Sequence, residues 1–443
     1  MKTTRIVPTL TALVLFSSAF SSSTLKAENW PQWRGPAFNG TSPESNLPDK
    51  FSKTDALWAT PMPGQSASTP IVWEDKIFLS TSDDKTKDLI AMCVNRKDGK
   101  ILWQKKISVW VPKASPTGKN TMASPSAVTD GKHVWFSFGT GDIVAFDVAG
   151  NQVWAKNLQK DYGAFSYMHG YSSSPLLYKD KLIIPVLRRD KIVVKGAPAA
   201  TGDASLDSFL LAVEPATGKE IWKRARKGEA KDGAQEAYTT PIPFENGGRS
   251  EILMAGADTL SSHDPNTGEE IWRWNGVLNP ENSRTVVSAV PADSVILTAG
   301  AQRMPVYALK TGAKGVVEKN DVAWKITEYT ANVCTPLYYN GLVYLLDGAK
   351  RFMTCVDPRT GEKKWQGALG GTSNFSGSPT GADGRIYCLS ESGDVIILSA
   401  GGSEFKILAN IPLEEAGSYS SISVAHGQLF VRTGKNLYCF GKK

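Results

Sequence analysis

The 443-residue sequence predicts an all-β fold, an eight-bladed β-propeller of four-stranded antiparallel blades in which the N-terminal strand completes the last blade. Three observations support this prediction. A unit of short strands and tight turns recurs along most of the chain, at separations of roughly 43 to 66 residues, which is typical of propeller blades. Most units end in a tryptophan, and the final unit lacks one strand.

The first half of each unit is a pair of short strands joined by a turn. Examples are STPIVWEDKIFLST at 68–81, SSPLLYKDKLIIPV at 173–186, CTPLYYNGLVYLLD at 334–347 and GSPTGADGRIYCLS at 377–390. Each combines small residues, a proline, a first strand, a turn rich in Asp, Asn or Gly, and a second strand. Because proline cannot donate to a strand ladder, the proline-bearing strand is predicted to be a sheet edge.

The second half of each unit is a third strand, a T-G turn and a fourth strand that carries tryptophan, as in ATGKEIW, NTGEEIW and RTGEKKW. Glycine in this turn favours a positive φ. Six prolines and two units without proline, around Ser288 and Ile422, predict eight blades. The six prolines are Pro70, Pro125, Pro175, Pro241, Pro336 and Pro379. The predicted fourth-strand tryptophans are Trp103, Trp154, Trp222, Trp272, Trp324 and Trp365, with Phe405 near this place in the seventh unit.

The ends of the chain complement each other. LFVRTGKNLYCFGKK at the C-terminus supplies a second and a third strand and then stops, whereas DALWATPM at 55–62 carries a tryptophan, Trp58, before the first unit. The strand around Trp58 is therefore predicted to pair with the strand around Tyr438. This closes the ring and removes an open blade edge.

The segment before the repeats divides into two parts. Residues 1–27 read as a signal peptide, with Lys2 and Arg5, an apolar run and a small-residue end at Ala27; an uncleaved anchor is the alternative. Residues 28–54, which begin ENWPQWRGPAFNG, are predicted to form a strap held against the propeller by Trp30 and Trp33, with Arg34 and Gly35 at a tight turn. A ligand-stacking platform is the alternative for these aromatic residues. The propeller itself is assigned to residues 55–443.

Composition limits the functions to consider. Cleavage after Ala27 would lower the formal net charge from +7 to about +4, a mild excess that predicts solubility and argues against nucleic-acid binding. No later stretch approaches about twenty apolar residues, so we expect no transmembrane span. The five cysteines form no C-x-x-C, and no metal site is expected. They are predicted to be buried strand thiols. One disulfide between neighbouring strands is the alternative, because the expected location, periplasmic or secreted, is oxidising.

The T-G turns with their tryptophans, together with Trp58, resemble the PQQ-type propeller repeat family, which includes quinoprotein alcohol dehydrogenases and the outer-membrane protein assembly lipoprotein of the Bam complex. The likeness runs from Trp30 onward. The resemblance implies the propeller fold. For the dehydrogenases of the family it also implies a PQQ held against a vicinal disulfide, a calcium ion bound by Glu and Asn, and an Asp that acts as the base. Glu236, Asn332 and Asp258 have the right residue types, but adjacent cysteines are lacking. No lipidated cysteine follows the signal peptide either. The cofactor therefore stays unknown.

Residues just before each first strand are predicted to line the mouth of the central channel, where they could hold a carboxylate-bearing or sugar-like ligand. A solvated rim around a water-filled channel is the alternative. His169, in SYMHGYSSSP, is the most suggestive candidate, because a neutral imidazole there could act as a base or as a ligand. A structural role is the alternative for this residue. The candidate ligand-binding residues are Gln65, Asn120, His169, Tyr171, Glu236, Arg284, Asn332 and Asn374.

The sequence thus predicts a monomeric exported scaffold that binds a protein partner or a small polar ligand at the channel face. A PQQ-dependent or related dehydrogenase acting on alcohols or sugars is one alternative. An assembly factor of the Bam type, which would bind an exposed strand by β-augmentation, is the other.

Overall fold

The computed structural model describes Met1 and residues 28–442, except 111–118, 191–205, 277–283, 301–303 and 318. Of the predicted signal peptide, residues 2–27 lie outside the described residues. The chain forms eight antiparallel sheets arranged as an eight-bladed propeller, as predicted. First strands of neighbouring sheets contact one another, so they surround the central axis.

The first, innermost strands are short. Five of the predicted prolines, Pro70, Pro175, Pro241, Pro336 and Pro379, lie immediately before them and not within them. These strands are β2 (Ile71–Trp73), β6 (Val128–Thr129), β10 (Leu176–Tyr178), β14 (Ile242–Asn246), β18 (Val290–Ala292), β23 (Leu337–Tyr339), β27 (Thr380–Ala382) and β31 (Ser423–Ala425).

The second and third strands form the buried body of each blade. The second strands are β3 (Lys76–Ser82), β7 (His133–Ser137), β11 (Lys181–Val186), β15 (Arg249–Gly256), β19 (Val295–Ala299), β24 (Leu342–Asp347), β28 (Arg385–Leu389) and β32 (Gln428–Arg432). The third strands are β4 (Asp88–Asn95), β8 (Asp142–Asp147), β12 (Phe209–Val213), β16 (Thr259–His263), β20 (Val306–Lys310), β25 (Phe352–Val356), β29 (Asp394–Ser399) and β33 (Asn436–Gly441). Their apolar side chains pack between adjacent blades, so each hydrophobic cluster draws on two or more blades.

The fourth strands lie at the outer rim and are largely exposed. They are β5 (Ile101–Val109), β9 (Gln152–Asn157), β13 (Glu220–Ala225), β17 (Glu270–Asn275), β22 (Val322–Ile326), β26 (Lys363–Ala368), β30 (Ile407–Pro412) and, in the eighth blade, β1 (Trp58–Pro61). A fifth strand, β21 (Gly315–Val316), pairs in parallel with β17. The helices are short: α1 (Leu158–Tyr162) and 3₁₀ turns at Lys53–Asp55, Asp232–Gln235 and Lys319–Asp321.

The predicted ring closure is confirmed. β1 pairs antiparallel with β33, with Trp58 opposite Cys439 and Ala59 opposite Tyr438. The last blade is therefore built from both ends of the chain, and its outer edge is the N-terminal strand.

The predicted outer-strand tryptophans all lie on fourth strands, and most dock on the next blade. Trp154 and Trp324, for example, place their rings against Gly218 and Gly361 of the following T-G turns, where an added Cβ would meet the ring at 2.8 Å. Their indole N–H groups donate to the carbonyls of Pro215 and Pro358, both at 2.8 Å. The glycines have φ of +71° and +73°, so they provide both the turn conformation and the space for the ring.

Two positions depart from the predicted pattern. In the seventh blade the place of the tryptophan is taken by Ala409, opposite Ile397, while Phe405 precedes β30 and packs on Trp365. Pro125 is not in register with the other five prolines, because the residue equivalent to Pro70 is Ala127.

Residues 28–57 cross one face of the ring. Trp30 pairs with Val72 of the first blade, and the Arg34 guanidinium donates to the carbonyls of Pro336 and Pro379 in the sixth and seventh. Glu44 accepts from the backbone N–H groups of Glu28, at 2.6 Å, and of Gly427, at 2.6 Å. The same segment packs Trp33 and Phe38 against the hydrophobic cluster around Ile242 in the fourth blade, which lies opposite the eighth, so the segment passes across the axis.

All five cysteines are buried and free. Burial raises the pKa of Cys93, Cys355, Cys388 and Cys439 to about 12, so these thiols are protonated and inert at neutral pH. None of the helices in the part of the chain that the structure describes is both long and apolar enough to cross a membrane.

Candidate functional site: a hydroxyl-lined channel

The central channel holds a cavity of about 410 Å³. Trp33, from the segment that crosses the opposite face, is part of its lining, and the remaining residues come from the loops before the first strands. The polar and aromatic residues of the lining are Trp33, Thr69, Lys119, Asn120, Ser124, Ser126, His169, Ser172, Ser174, Tyr238, Thr240, Arg284, Thr335, Ser376, Ser378, Tyr419 and Ser421.

A closed ring of hydrogen bonds surrounds this cavity. In each blade one Ser or Thr lies two residues before the first residue of the innermost strand. Its hydroxyl accepts a hydrogen bond from the backbone N–H of the equivalent residue in the preceding blade. The eight bonds measure 2.9–3.3 Å, and the last, from Ser421 N–H to the Thr69 hydroxyl, closes the circle. We call these residues the hydroxyl collar: Thr69, Ser126, Ser174, Thr240, Ser288, Thr335, Ser378 and Ser421.

A buried carboxylate organises one side of the channel mouth. Glu236 is fully buried and ion-paired with Arg189, and its second oxygen lies 3.6 Å from the Nε of Arg284. That oxygen also accepts from the Tyr238 hydroxyl and, at 3.0 Å, from the N–H of Met168. Burial, followed by the neighbouring carboxylate, raises the pKa of Tyr238, so its hydroxyl stays a donor.

Two arginines therefore share one carboxylate. The Arg284 Nε has no hydrogen-bond partner among the described residues, although it is buried. Among the described residues this cluster of two arginines and one carboxylate has a net charge of about +1, and Arg284 is the member that lines the cavity.

The other side of the mouth carries an ion pair between blades. Lys119, from the loop before the second blade, is paired with Glu391 of the seventh blade, which also accepts from the Ser376 hydroxyl at 2.6 Å. This charge is compensated. The contact brings a lysine ammonium to the cavity from a loop that reaches past two neighbouring blades.

The structure brings three of the eight predicted site residues, Asn120, His169 and Arg284, into the cavity lining. Asn120 has a positioning role, because its amide accepts from Ser124 and Met122 and donates to the Gly170 carbonyl. His169 is half-buried, with its ring 6.4 Å from that of Tyr238.

The other five predicted residues lie outside the lining. Glu236 is behind it as the partner of the arginines, and Tyr171 is buried in the core against Phe165. Gln65 packs against Gly417, Asn374 is exposed and gives its carbonyl to Glu391 N–H, and Asn332 is half-buried with φ +50°. Each is close to the mouth in sequence order, but the loop directs its side chain elsewhere.

Sequence reasoning missed the collar, Lys119 and the position of Trp33 in the lining. The collar had a visible signal. Ser or Thr stands immediately before proline in five units, at Thr69, Ser174, Thr240, Thr335 and Ser378. In the sequence pattern these positions stand out only as small residues, because the acceptor role of the hydroxyl depends on the neighbouring blade.

The cavity does not fit PQQ with calcium. Calcium prefers several carboxylate or carbonyl oxygens, yet no acidic residue is among the described residues of the lining. Glu236 and Glu391, which bind the lining residues Tyr238 and Ser376, are already compensated by Arg189 and Lys119. Asp258 is buried at the β15–β16 turn, where its carboxylate accepts from Thr259 at 3.1 Å.

Eight repeats of this blade, joined around a channel and closed by the N-terminal strand, define a PQQ-type β-propeller. The chain belongs to the family described as outer membrane protein assembly factor BamB, whose model matches residues 52–184 and 206–443.

Individual relatives are distant. Tetrathionate hydrolase of Acidithiobacillus ferrooxidans is 23% identical over 380 residues, covering 71% of this chain and 68% of that protein. The structure of BamB from Moraxella catarrhalis superposes with a TM-score of 0.60 at 14% identity, covering 87% of this chain and 99% of that one. Quinohemoprotein alcohol dehydrogenase from Comamonas testosteroni gives a TM-score of 0.67 at 12% identity, covering 94% and 81%. At these identities the solved structures show the shared fold alone.

Proposed function

We propose that this protein is an exported binding propeller whose channel holds a small anionic ligand. The observation that carries the proposal is the charge balance of the mouth: Arg284 lines the cavity, its Nε lacks a hydrogen-bond partner among the described residues, and Glu236 is already paired with Arg189. An anion that reaches Arg284 gains a charge-assisted hydrogen bond.

The lining favours an anion over a neutral sugar. A sugar needs acceptors as well as donors, and the Asn120 oxygen, an obvious acceptor, already receives two hydrogen bonds. Hydroxyl, ammonium and guanidinium groups dominate the described lining, and all of them can donate.

One relative fits the same chemistry. Tetrathionate, which the name of the Acidithiobacillus enzyme gives as its substrate, is an anion with a sulfonate group at each end. This supports a sulfur oxyanion among the ligands to test. Export to the periplasm or beyond, after removal of residues 1–27, belongs to the same proposal and is supported by the signal-like N-terminus.

Calorimetric titration of the purified chain 28–443 with sulfate, acetate and tetrathionate tests the proposal. Arg284→Gln removes the uncompensated charge while Arg189 still holds Glu236. We expect about tenfold weaker binding or more, because a hydrogen bond to a charged group contributes roughly 1.5–3 kcal/mol. Arg359→Gln is the matched control, since Arg359 is exposed and paired with Asp293 in an outer turn. Equal affinities for both variants, or no binding by the unmodified protein, would contradict the proposal.

A protein-binding role is the second candidate, favoured by the match to the BamB family. The outer strand β5 is the longest of the fourth strands, and its side chains Ile101, Leu102 and Val109 are 43–48% exposed. Such an edge suits β-augmentation by a partner strand. If Leu102→Lys abolishes co-purification of outer-membrane components while anion binding is unchanged, this role holds independently of the channel; unchanged co-purification argues against this edge.

A further inference from the structure

The hydroxyl collar has donor capacity that the protein does not use. A hydroxyl group carries one O–H donor and two acceptor lone pairs. Each collar oxygen accepts one backbone N–H from the neighbouring blade, yet among the described residues none of the eight donates its own hydrogen to a protein acceptor. The collar therefore joins the blades through its lone pairs and leaves its O–H groups available.

These available donors are buried. Every collar residue is at most 8% exposed, and seven of the eight line the cavity. A buried donor without an acceptor destabilises a protein by about 1–3 kcal/mol, so the contents of the channel must supply acceptors. The cavity wall thus selects for a ligand that offers acceptors in several directions.

The positive charge of the mouth breaks the symmetry of the collar. Arg284 belongs to the loop before the fifth blade, so the collar residues of the lining that flank it in blade order are Thr240 and Thr335, in the fourth and sixth blades. Thr69, in the first blade, is diametrically opposite. The arc beside Arg284 combines neutral O–H donors with a guanidinium that lines the cavity and shares the Glu236 carboxylate with Arg189.

We infer that this arc, formed by Thr240, Thr335 and Arg284, is a binding site for a tetrahedral oxyanion group: a sulfate, a phosphate or the sulfonate end of an organic molecule. This rests on the proposed anion-binding function and specifies it. A tetrahedral group directs oxygens toward donors in different blades at the same time, whereas a planar carboxylate has two oxygens in one plane. The cavity of about 410 Å³ has room for more than an inorganic ion, so the remainder of an organic ligand is accommodated along the channel.

The matched pair Thr240→Val and Thr69→Val tests the inference. Each variant removes one collar hydroxyl, and with it one blade-to-blade hydrogen bond, of 3.2 Å at Thr240 and 3.3 Å at Thr69. The structural loss is thus alike, while only Thr240 is beside Arg284. Thr239→Val is a further control, because the Thr239 hydroxyl is buried next to the collar but donates to the Ala255 carbonyl at 2.6 Å.

Calorimetric titration of the full chain 28–443 would use sulfate, phosphate, methanesulfonate and acetate. We expect Thr240→Val to weaken binding of the three tetrahedral anions about fivefold or more, with a smaller effect on acetate, and Thr69→Val and Thr239→Val to keep the original affinities. Tighter binding of methanesulfonate than of sulfate and phosphate would identify an organic ligand as the source of the group, and the reverse order an inorganic ion.

Two results would overturn the inference while leaving anion binding in place. One is anion affinity that falls in Arg284→Gln but not in Thr240→Val. The other is an equal loss in Thr240→Val and Thr69→Val, which would make the collar a joint between blades only. If no anion binds the unmodified chain, the proposed function itself fails, so the two failures are distinguishable. Should Thr240→Val not fold, Thr335→Val provides the same comparison from the other side of Arg284.

Discussion

At the scale of single residues, Glu415 shows how a buried carboxylate stabilises the junction of the chain ends. Its oxygens accept from Tyr438, at 2.6 Å, and Asn436, at 2.9 Å, both in the last strand, and pair with Lys53 at 2.9 Å. Burial by itself would raise the pKa of Glu415, but hydrogen bonds from Thr433, Tyr438, Lys53 and Asn436 outweigh it and lower the pKa to about 2.

This lowered pKa makes stability depend on pH. An acid whose folded pKa lies below its unfolded value stabilises the fold above the unfolded pKa, and that contribution disappears as pH falls through the folded pKa. We therefore expect the difference in melting temperature between the unmodified chain and Glu415→Gln to be largest at pH 6 and to shrink between about pH 5 and 2. Thermal unfolding by circular dichroism at several pH values measures it. A difference that stays constant down to pH 2 would contradict the role of the ionised carboxylate.

Residue type alone did not separate ligand-facing from structural polar groups. Arg188, for example, does not line the cavity, because its guanidinium donates to the carbonyls of Tyr162, Gly163 and Ala164. Asn120 does line the cavity, yet its amide oxygen accepts from Met122 and Ser124 of its own loop, and its N–H donates to Gly170 of the next blade. The direction of a polar side chain in a loop depends on which carbonyls the neighbouring loops present, and this information is not local in sequence.

At the scale of elements, the tryptophan and the T-G turn form one joint between consecutive blades. The ring of Trp324 lies on Gly361, and its N–H donates to the carbonyl of Pro358. Trp272 is an exception, since it donates to the buried carboxylate of Glu251 at 2.8 Å. The repeat therefore predicts the joint between blades, while the fourth blade uses a carboxylate in place of the carbonyl acceptor.

A pair of glycines separates ring packing from backbone strain. Gly361 and Gly341 have similar φ, +73° and +75°, but an added Cβ meets the Trp324 ring at 2.8 Å only at Gly361 and meets nothing within 4 Å at Gly341. We expect Gly341→Ala to destabilise by about 1–2 kcal/mol, the strain of a left-handed Ala, and Gly361→Ala by clearly more. Urea unfolding monitored by tryptophan fluorescence measures both. Equal losses in the two variants would mean that the ring moves aside freely.

At the scale of the whole molecule, two N-terminal segments close the ring in different ways. β1 supplies the missing strand of the eighth blade, and residues 28–57 contact the first, fourth, sixth, seventh and eighth blades across one face. Only the first of these completes a sheet, so its loss exposes a strand edge.

Two truncated chains distinguish these contributions. A chain starting at Lys53 loses most of the crossing segment but keeps β1 and the Lys53–Glu415 pair, whereas one starting at Met62 also loses the closing strand. We expect the second chain to melt lower and to self-associate through the exposed edge of β33, and a synthetic peptide of residues 53–61 to reverse both effects. Light scattering and thermal unfolding are the measurements. Two monomeric chains with equal melting temperatures would show that closure by β1 contributes little.

The sequence by itself determined the number of blades, the strand order within them, the outer tryptophans and the pairing of Trp58 with the last strand. These follow from local periodicity, turn chemistry and the unfinished last unit, all of which are written in consecutive residues. The tertiary structure decided which polar residues face the channel, that Glu236 forms an ion pair with Arg189, and that eight hydroxyls form a collar. Each of those facts joins residues some 40 or more positions apart, because propeller blades meet at the axis only after the ring has closed.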